Sequence, residues 1–171
     1  ELGLASAAAA LGVPMAVSTF ATFSLEEIRA GSSGPLWFQL YVHQDRGITG
    51  ELVARAAAAG YQALVLTVDV PEIGRRERDE RNGFRLSPEL RVANFVAPAS
   101  APLQGGAGGS GLAAFIHGMR DATLSWKDLE WLQGIAPLPL VIKGLLRGDD
   151  ARRAVELGAA SADHLECIDD A

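Results

Sequence analysis

One cysteine, Cys167, is the whole thiol complement of the 171 residues, so no internal disulfide framework can form and the usage fits a reducing compartment. Aromatic residues are also scarce, at 6%, while alanine and glycine abound, as in α/β proteins covered by helices. Basic charge is in deficit: 15 Lys and Arg against 21 Asp and Glu leave a net charge of −6, which excludes a basic footprint for nucleic acid. A long apolar helix is missing as well. Residues 2–23 carry no charge, but alanine dominates them and Gly12-Val13-Pro14 interrupts them, so no membrane-length helix is expected. The stretch also lacks the basic start of a signal peptide. No metal site is read from the chain. These absences point to a soluble, cytoplasmic protein, and 49% hydrophobic residues supply one domain, 1–171, with a core.

What is present alternates. Residues 1–11 read as an Ala-rich helix closed by Gly12. Pro14 to Ser18 reads as a short strand, and Ser24 with Glu27 forms a capping box that opens a helix. Leu36 to Tyr41 is the second strand, Leu52 to Ala59 belong to a helix ended by Gly60, and Ala63 to Asp69 is the third strand. The pattern then breaks from 69 to 124, long for a connection in a compact domain, with glycine-rich 104–111 as its expected mobile part. Ser125 and Asp128 restore order with a second capping box, Pro139 to Gly144 form a fourth strand, and Asp149-Asp150 open a last helix closed by Gly158. Helix and strand alternating through short turns predict parallel strands and an α/β fold of about four βα units. That is either an open doubly wound sheet or part of a (β/α)₈ barrel, whose full form needs about 250 residues.

Each strand turns polar at its C-terminal end: Ser18, Gln39 with Tyr41, Thr67 with Asp69, and Lys143. Singly, a hydroxyl can cap a loop, Gln39 can satisfy backbone groups, and Lys143 can snorkel to solvent. Four strands repeating the arrangement in a parallel sheet bring these side chains to one rim, where such folds place ligands. Two hydroxyls and an amide can hydrogen-bond the polar edge of a flat heterocycle, and a lysine can stabilise negative charge developing on it. Arg76 offers a planar fork for a carboxylate, and the Tyr41 phenol a bond to a substrate oxygen.

Four stretches carry a resemblance: Trp37-Phe38-Gln39-Leu40-Tyr41, Leu66 to Arg76, Leu124-Ser125-Trp126-Lys127-Asp128 and Val141-Ile142-Lys143-Gly144. Together they resemble the FMN-dependent α-hydroxy-acid oxidases and dehydrogenases, in register from Glu1 to about Ala160. The resemblance implies a TIM-barrel fold, of which this chain matches a first-half portion lacking the opening strand. It implies FMN as cofactor, contacted by Ser18, Gln39, Thr67 and Lys143, with the lysine beside flavin N1 and the C2 carbonyl. It implies a small 2-hydroxy acid as substrate, met by Tyr41 and Arg76. By the same resemblance Asp69 partners a catalytic histidine, and the 69–124 excursion covers the active site.

The resemblance lapses near the end. The family's next strand closes on a Ser-Asn-His-Gly signature with an arginine beside it, whereas this chain reads Ser161-Ala162-Asp163-His164-Leu165-Glu166-Cys167-Ile168-Asp169-Asp170-Ala171. His164 stands three residues early, and an odd shift on a strand points it to the other face. Neither it, nor His43, nor His117 is assigned as the base, and no glycine-rich phosphate loop follows a strand. The chain is therefore expected to be a truncated form, with an atypical 161–171 tail and little or no activity alone. The alternative is a non-catalytic half-barrel that binds flavin or self-associates through open sheet edges.

Overall fold

Branched and aromatic residues set the strands, and the computed structural model that describes residues 1–69, 77–84, 87, 89–95 and 118–164 brings them into one parallel sheet. The elements run α1 (Leu2–Leu11), β1 (Met15–Ser18), α2 (Leu25–Ala30), β2 (Leu36–Leu40), α3 (Arg46–Ala58), β3 (Ala63–Thr67), α4 (Glu77–Arg81), α5 (Trp126–Ile135), β4 (Leu140–Leu145), α6 (Gly148–Glu156) and β5 (Ser161–His164). Sheet order follows chain order, β1-β2-β3-β4-β5, and every neighbouring pair is parallel. The expected alternation is what forms. It extends by one strand, because Ser161–His164 pairs with β4 where the sequence reading placed an atypical tail.

Local signals act where they were read. Gly12 closes α1 at φ 66, a left-handed conformation that a side chain disfavours. Ser24 caps α2, its hydroxyl accepting from the Glu27 N–H at 3.2 Å while the Ser24 N–H donates to the Glu27 carboxylate at 2.8 Å. At α5 the Ser125 N–H and hydroxyl both donate to Asp128, at 2.7 and 2.9 Å. The helix holding Leu52 starts earlier than its alanine run, at Arg46, because the Asp45 carboxylate caps Gly47 at 2.8 Å. Two glycines in its first turns hid that start.

Period-two alternation sorts the sheet into two faces. Val17, Phe38, Leu40, Leu64, Leu66 and Ile142 are no more than 4% exposed. They share one core with Leu25 and Ile28 of α2, Leu52 and Val53 of α3, and Leu129 and Leu132 of α5. The other face carries Ser18 and Lys143, exposed, and Trp37 and Gln39, half-buried. Only β3 is buried at every position, which is why it reads as a continuous apolar run.

Two short segments of the 69–124 excursion are pinned to this frame. Asn94, 2% exposed, accepts from the Leu25 N–H at 2.9 Å and donates to the Ser18 and Thr19 carbonyls at 3.3 and 3.1 Å. Arg55 holds the Asn94 carbonyl at 2.7 Å and Glu26 at 2.8 Å, so this segment ties β1 to α2 and α3. Farther on, Arg46 grips Asp121 and Asp128, each at 2.7 Å, and its guanidinium lies 4.8 Å from the Trp131 ring. The glycine-rich 104–111 stretch lies outside the described residues.

Candidate active site

Strand register assembles the rim. Ser18 aligns with Gln39 and Gln39 with Val65; one pleat farther on, Thr67 aligns with Lys143. Partners across a parallel ladder share a face, so Ser18, Gln39, Thr67 and Lys143 stand on the side opposite the helix-packed core. Tyr41 and Asp69 follow at the next same-face steps beyond Gln39 and Thr67.

Hydrogen bonds orient the polar atoms. The Gln39 amide donates from Nε2 to Thr67 Oγ1 at 3.0 Å, and its Oε1 accepts from the Thr19 N–H at 3.3 Å. Thr67, 4% exposed, therefore accepts a hydrogen bond from Gln39 and keeps its own hydroxyl proton to donate. Ser18 Oγ accepts from the Phe20 N–H at 3.1 Å, and its hydroxyl proton is likewise one to donate. Thr19 is the fastener to which sequence reasoning assigned no role. Its hydroxyl, 1% exposed, donates to the Gln39 carbonyl at 2.6 Å and accepts from the Tyr41 N–H at 3.1 Å. The resulting rim is rich in donors, so the ligand edge that fits it is one of acceptors, such as ring nitrogens and carbonyls.

Lys143 and Asp69 meet across the sheet at 2.7 Å, with side chains 46% and 29% exposed. A glycine makes this possible. Gly144 adopts φ +100 at an irregularity of the β4 ladder, and a Cβ there would stand 2.4 Å from Asp69 Cβ. Thus Lys143-Gly144 is a unit: the lysine reaches the rim, and the missing side chain leaves room for Asp69. The carboxylate expected to hold a histidine holds this lysine.

Tyr41 stands 5.6 Å from Phe20, which stacks at 5.8 Å on Phe95, with His43 6.4 Å beyond. Burial lowers the His43 pKa against the pull of the Asp45 carboxylate, and its Nδ1 accepts from the Asp45 N–H at 2.8 Å. Hydrogen bonds from Thr123, ahead of the charge of Arg46, hold the Asp121 carboxyl below its usual range. Arg120 also reaches this corner, from a segment read as excursion. Behind the rim, on the helix side of the sheet, lies a cavity of 380 Å³ among Leu66, Leu129, Ile142 and Leu145, with Tyr41 and Thr67 at its margin. Arg76, His117 and Cys167 lie outside the described residues, and β5 places the His164 backbone opposite Leu145.

A parallel sheet in chain order with its helices packed on one face has the architecture of a sector of a TIM barrel. The chain belongs to the FMN-dependent dehydrogenase family, which it matches over residues 1–162. It is 53% identical over 163 residues to an L-lactate oxidase of Nostoc sp., covering 93% of this chain and 45% of that protein. It is 46% identical over 160 residues to glycolate oxidase 1 of Oryza sativa subsp. indica, covering 94% and 43%. Among solved structures, a mandelate oxidase with (S)-4-hydroxymandelic acid superposes with a TM-score of 0.85 at 42% identity, over 94% of this chain and 44% of its own. A monotopic membrane protein, (S)-mandelate dehydrogenase, superposes at 0.82 with 33% identity, over 96% and 48%. The chain thus spans less than half the length of these relatives. Among its own described residues, no helix is long and apolar enough to cross a membrane.

Proposed function

We propose that this chain forms one wall of the FMN site of an enzyme that oxidises a small 2-hydroxy acid to a 2-oxo acid. The observation that carries the reading is the donor rim, Ser18, Gln39 and Thr67 with Lys143 beside them, on the face of the sheet opposite the helix-packed core. It suits the acceptor-bearing edge of a flavin, and the relatives are oxidases and a dehydrogenase named for lactate, glycolate and mandelate. When bound, FMN supplies the two-electron acceptor. Gln39 and Thr67 would orient the ring by hydrogen bonds, and Lys143 would place positive charge where electron density gathers. Tyr41 would give a phenol to a substrate oxygen, and Arg76 a planar fork to its carboxylate. Asp69 would hold a proton-accepting histidine in one tautomer, a role for which Lys143 competes in this structure.

A polypeptide of these 171 residues is expected to turn over lactate, glycolate or mandelate poorly, because it carries neither the Ser-Asn-His-Gly arrangement of the family's base nor the arginine beside it. Losing a general base typically lowers rates about 10²- to 10⁴-fold. A cytoplasmic location accords with the single cysteine. The test is a titration of the purified chain with FMN, followed by flavin absorbance and by quenching of flavin fluorescence. Saturable binding that Gln39→Leu weakens supports the wall; absence of binding to the folded chain sinks it.

A second reading rests on the sheet edges. β1 and β5 each have one ladder neighbour among the described strands, and an unpaired edge invites another chain. On that reading the chain is a half-barrel that pairs with a second copy, and light scattering decides it: a monomer at all concentrations rules it out.

A further inference from the structure

We infer that Arg120 is a positioning residue for Tyr41, a role that rests on the reading of Tyr41 as the substrate-facing phenol. Its guanidinium carbon stands 5.6 Å from the centre of the Tyr41 ring, and the residue is 7% exposed. A buried arginine is uncommon because its charge is strongly hydrated, so its place against a ring calls for a physical reason. The ring supplies one: a guanidinium over an aromatic face is attracted by the ring quadrupole, more so where water is excluded.

The backbone brings Arg120 there by a defined route. Residues 119–121 run antiparallel to 42–44, with a bridge between His43 and Arg120. The Gln44 N–H donates to the Met119 carbonyl at 3.0 Å and the Asp121 N–H to the Val42 carbonyl at 2.9 Å. Gln44 Nε2 adds a bond to the Arg120 carbonyl at 3.2 Å, and Arg46 holds Asp121 from α3. The far end of the long excursion is therefore stitched to the chain leaving β2, and the stitch fixes Arg120 next to Tyr41. Tyr41 needs such support. It lies one residue beyond the last ladder residue of β2, so the sheet does not fix it, and Thr19 fixes only its backbone. The ring is held by Phe20 on apolar grounds and by Arg120 on electrostatic ones. A phenol that must meet one substrate oxygen gains from being held at one angle before the substrate arrives.

The experiment uses the fact that the chain has two tyrosines. Biosynthetic 3-fluorotyrosine gives one ¹⁹F resonance for Tyr41 and one for Tyr61. Tyr61 is 2% exposed, packs 6.1 Å from Phe38 and donates its hydroxyl to the Leu25 carbonyl at 3.0 Å, so it reports on the core. Arg120→Met should shift the Tyr41 line by more than its linewidth and leave the Tyr61 line in place. Arg120→Lys, which keeps charge without the planar face, should return the line part of the way. A Tyr41 line that does not move in Arg120→Met overturns the inference, as does movement of both lines together, the mark of a general packing role. The measurement needs no flavin, so it decides the role of Arg120 whether or not the chain binds FMN in the separate titration.

Discussion

The two faces of the same sheet are built to different ends. One is closed: Phe38, Leu40, Leu64 and Leu66 are buried with residues of α1, α2, α3, α5 and α6 in a single apolar cluster. The other turns polar at its C-terminal rim and is open at several points there: Ser18 and Lys143 are exposed, and Gln39 is half-buried with its amide fixed at both ends, while Thr67 between them is buried. A two-residue period along each strand is all that separates them. Stability therefore collects on the helix side of the pleat and chemistry on the other, and substitutions should divide in the same way. Rim changes should spare the fold, while core changes should spare nothing.

The strongest way to break this comparison is Phe38→Ala. Phe38 is 0% exposed at the middle of β2, edge-on to Tyr61, and its truncation should destabilise the chain by about 3–5 kcal/mol, a large part of a domain's total. Urea unfolding followed by circular dichroism measures it. A loss below about 1 kcal/mol would mean that the helix face is not the seat of stability.

Gly144→Ala probes the seam between the faces. Its backbone belongs to a ladder strand, yet the space at its Cα is filled by Asp69 from the rim. A non-glycine residue at φ +100 together with the displaced carboxylate should cost about 1–3 kcal/mol. The same change should part Asp69 from Lys143, which is read independently as faster acylation of Lys143 by mass spectrometry. Destabilisation without faster acylation would show that the backbone conformation alone matters, and the seam would belong to the core face.

How much of this was legible in the sequence follows from the range of each interaction. The strands were legible because their alternation lies within a few residues, and so were the helix starts, because Ser24 and Ser125 find their partners three positions on. The rim was legible because each strand announces its end by turning polar. What joins distant segments was not. Nothing around Asn94 signals that it will clasp β1 and α2, and Arg120 stands in a stretch with no period at all. The pairing of Asp69 with Lys143 was hidden for another reason. Both residues were read as site residues, but their contact depends on a glycine conformation that only the folded ladder imposes. Thr19 was visible as a polar residue after β1, and its function as the fastener of Gln39 and Tyr41 needed the register.

The smallest effect on stability, and the sharpest division of the faces, is expected for Lys143→Met. Its pair with Asp69 is partly solvated on both sides, and such pairs contribute about 0–1 kcal/mol. Methionine keeps the aliphatic stem of the side chain. Unfolding should therefore shift by no more than about 0.5 kcal/mol, the range of ordinary surface changes. Flavin affinity should fall far more. A hydrogen bond to a charged group contributes about 1.5–3 kcal/mol, so the FMN dissociation constant should rise roughly 10- to 100-fold. The two measurements on one variant separate the faces more cleanly than any pair of variants. If affinity and stability fall together, Lys143 supports the sheet itself. If neither moves, the flavin edge lies elsewhere along the rim, nearer Ser18 and Gln39. Only a large loss of affinity at unchanged stability fits a lysine that serves the ligand and leaves the fold to the residues behind it.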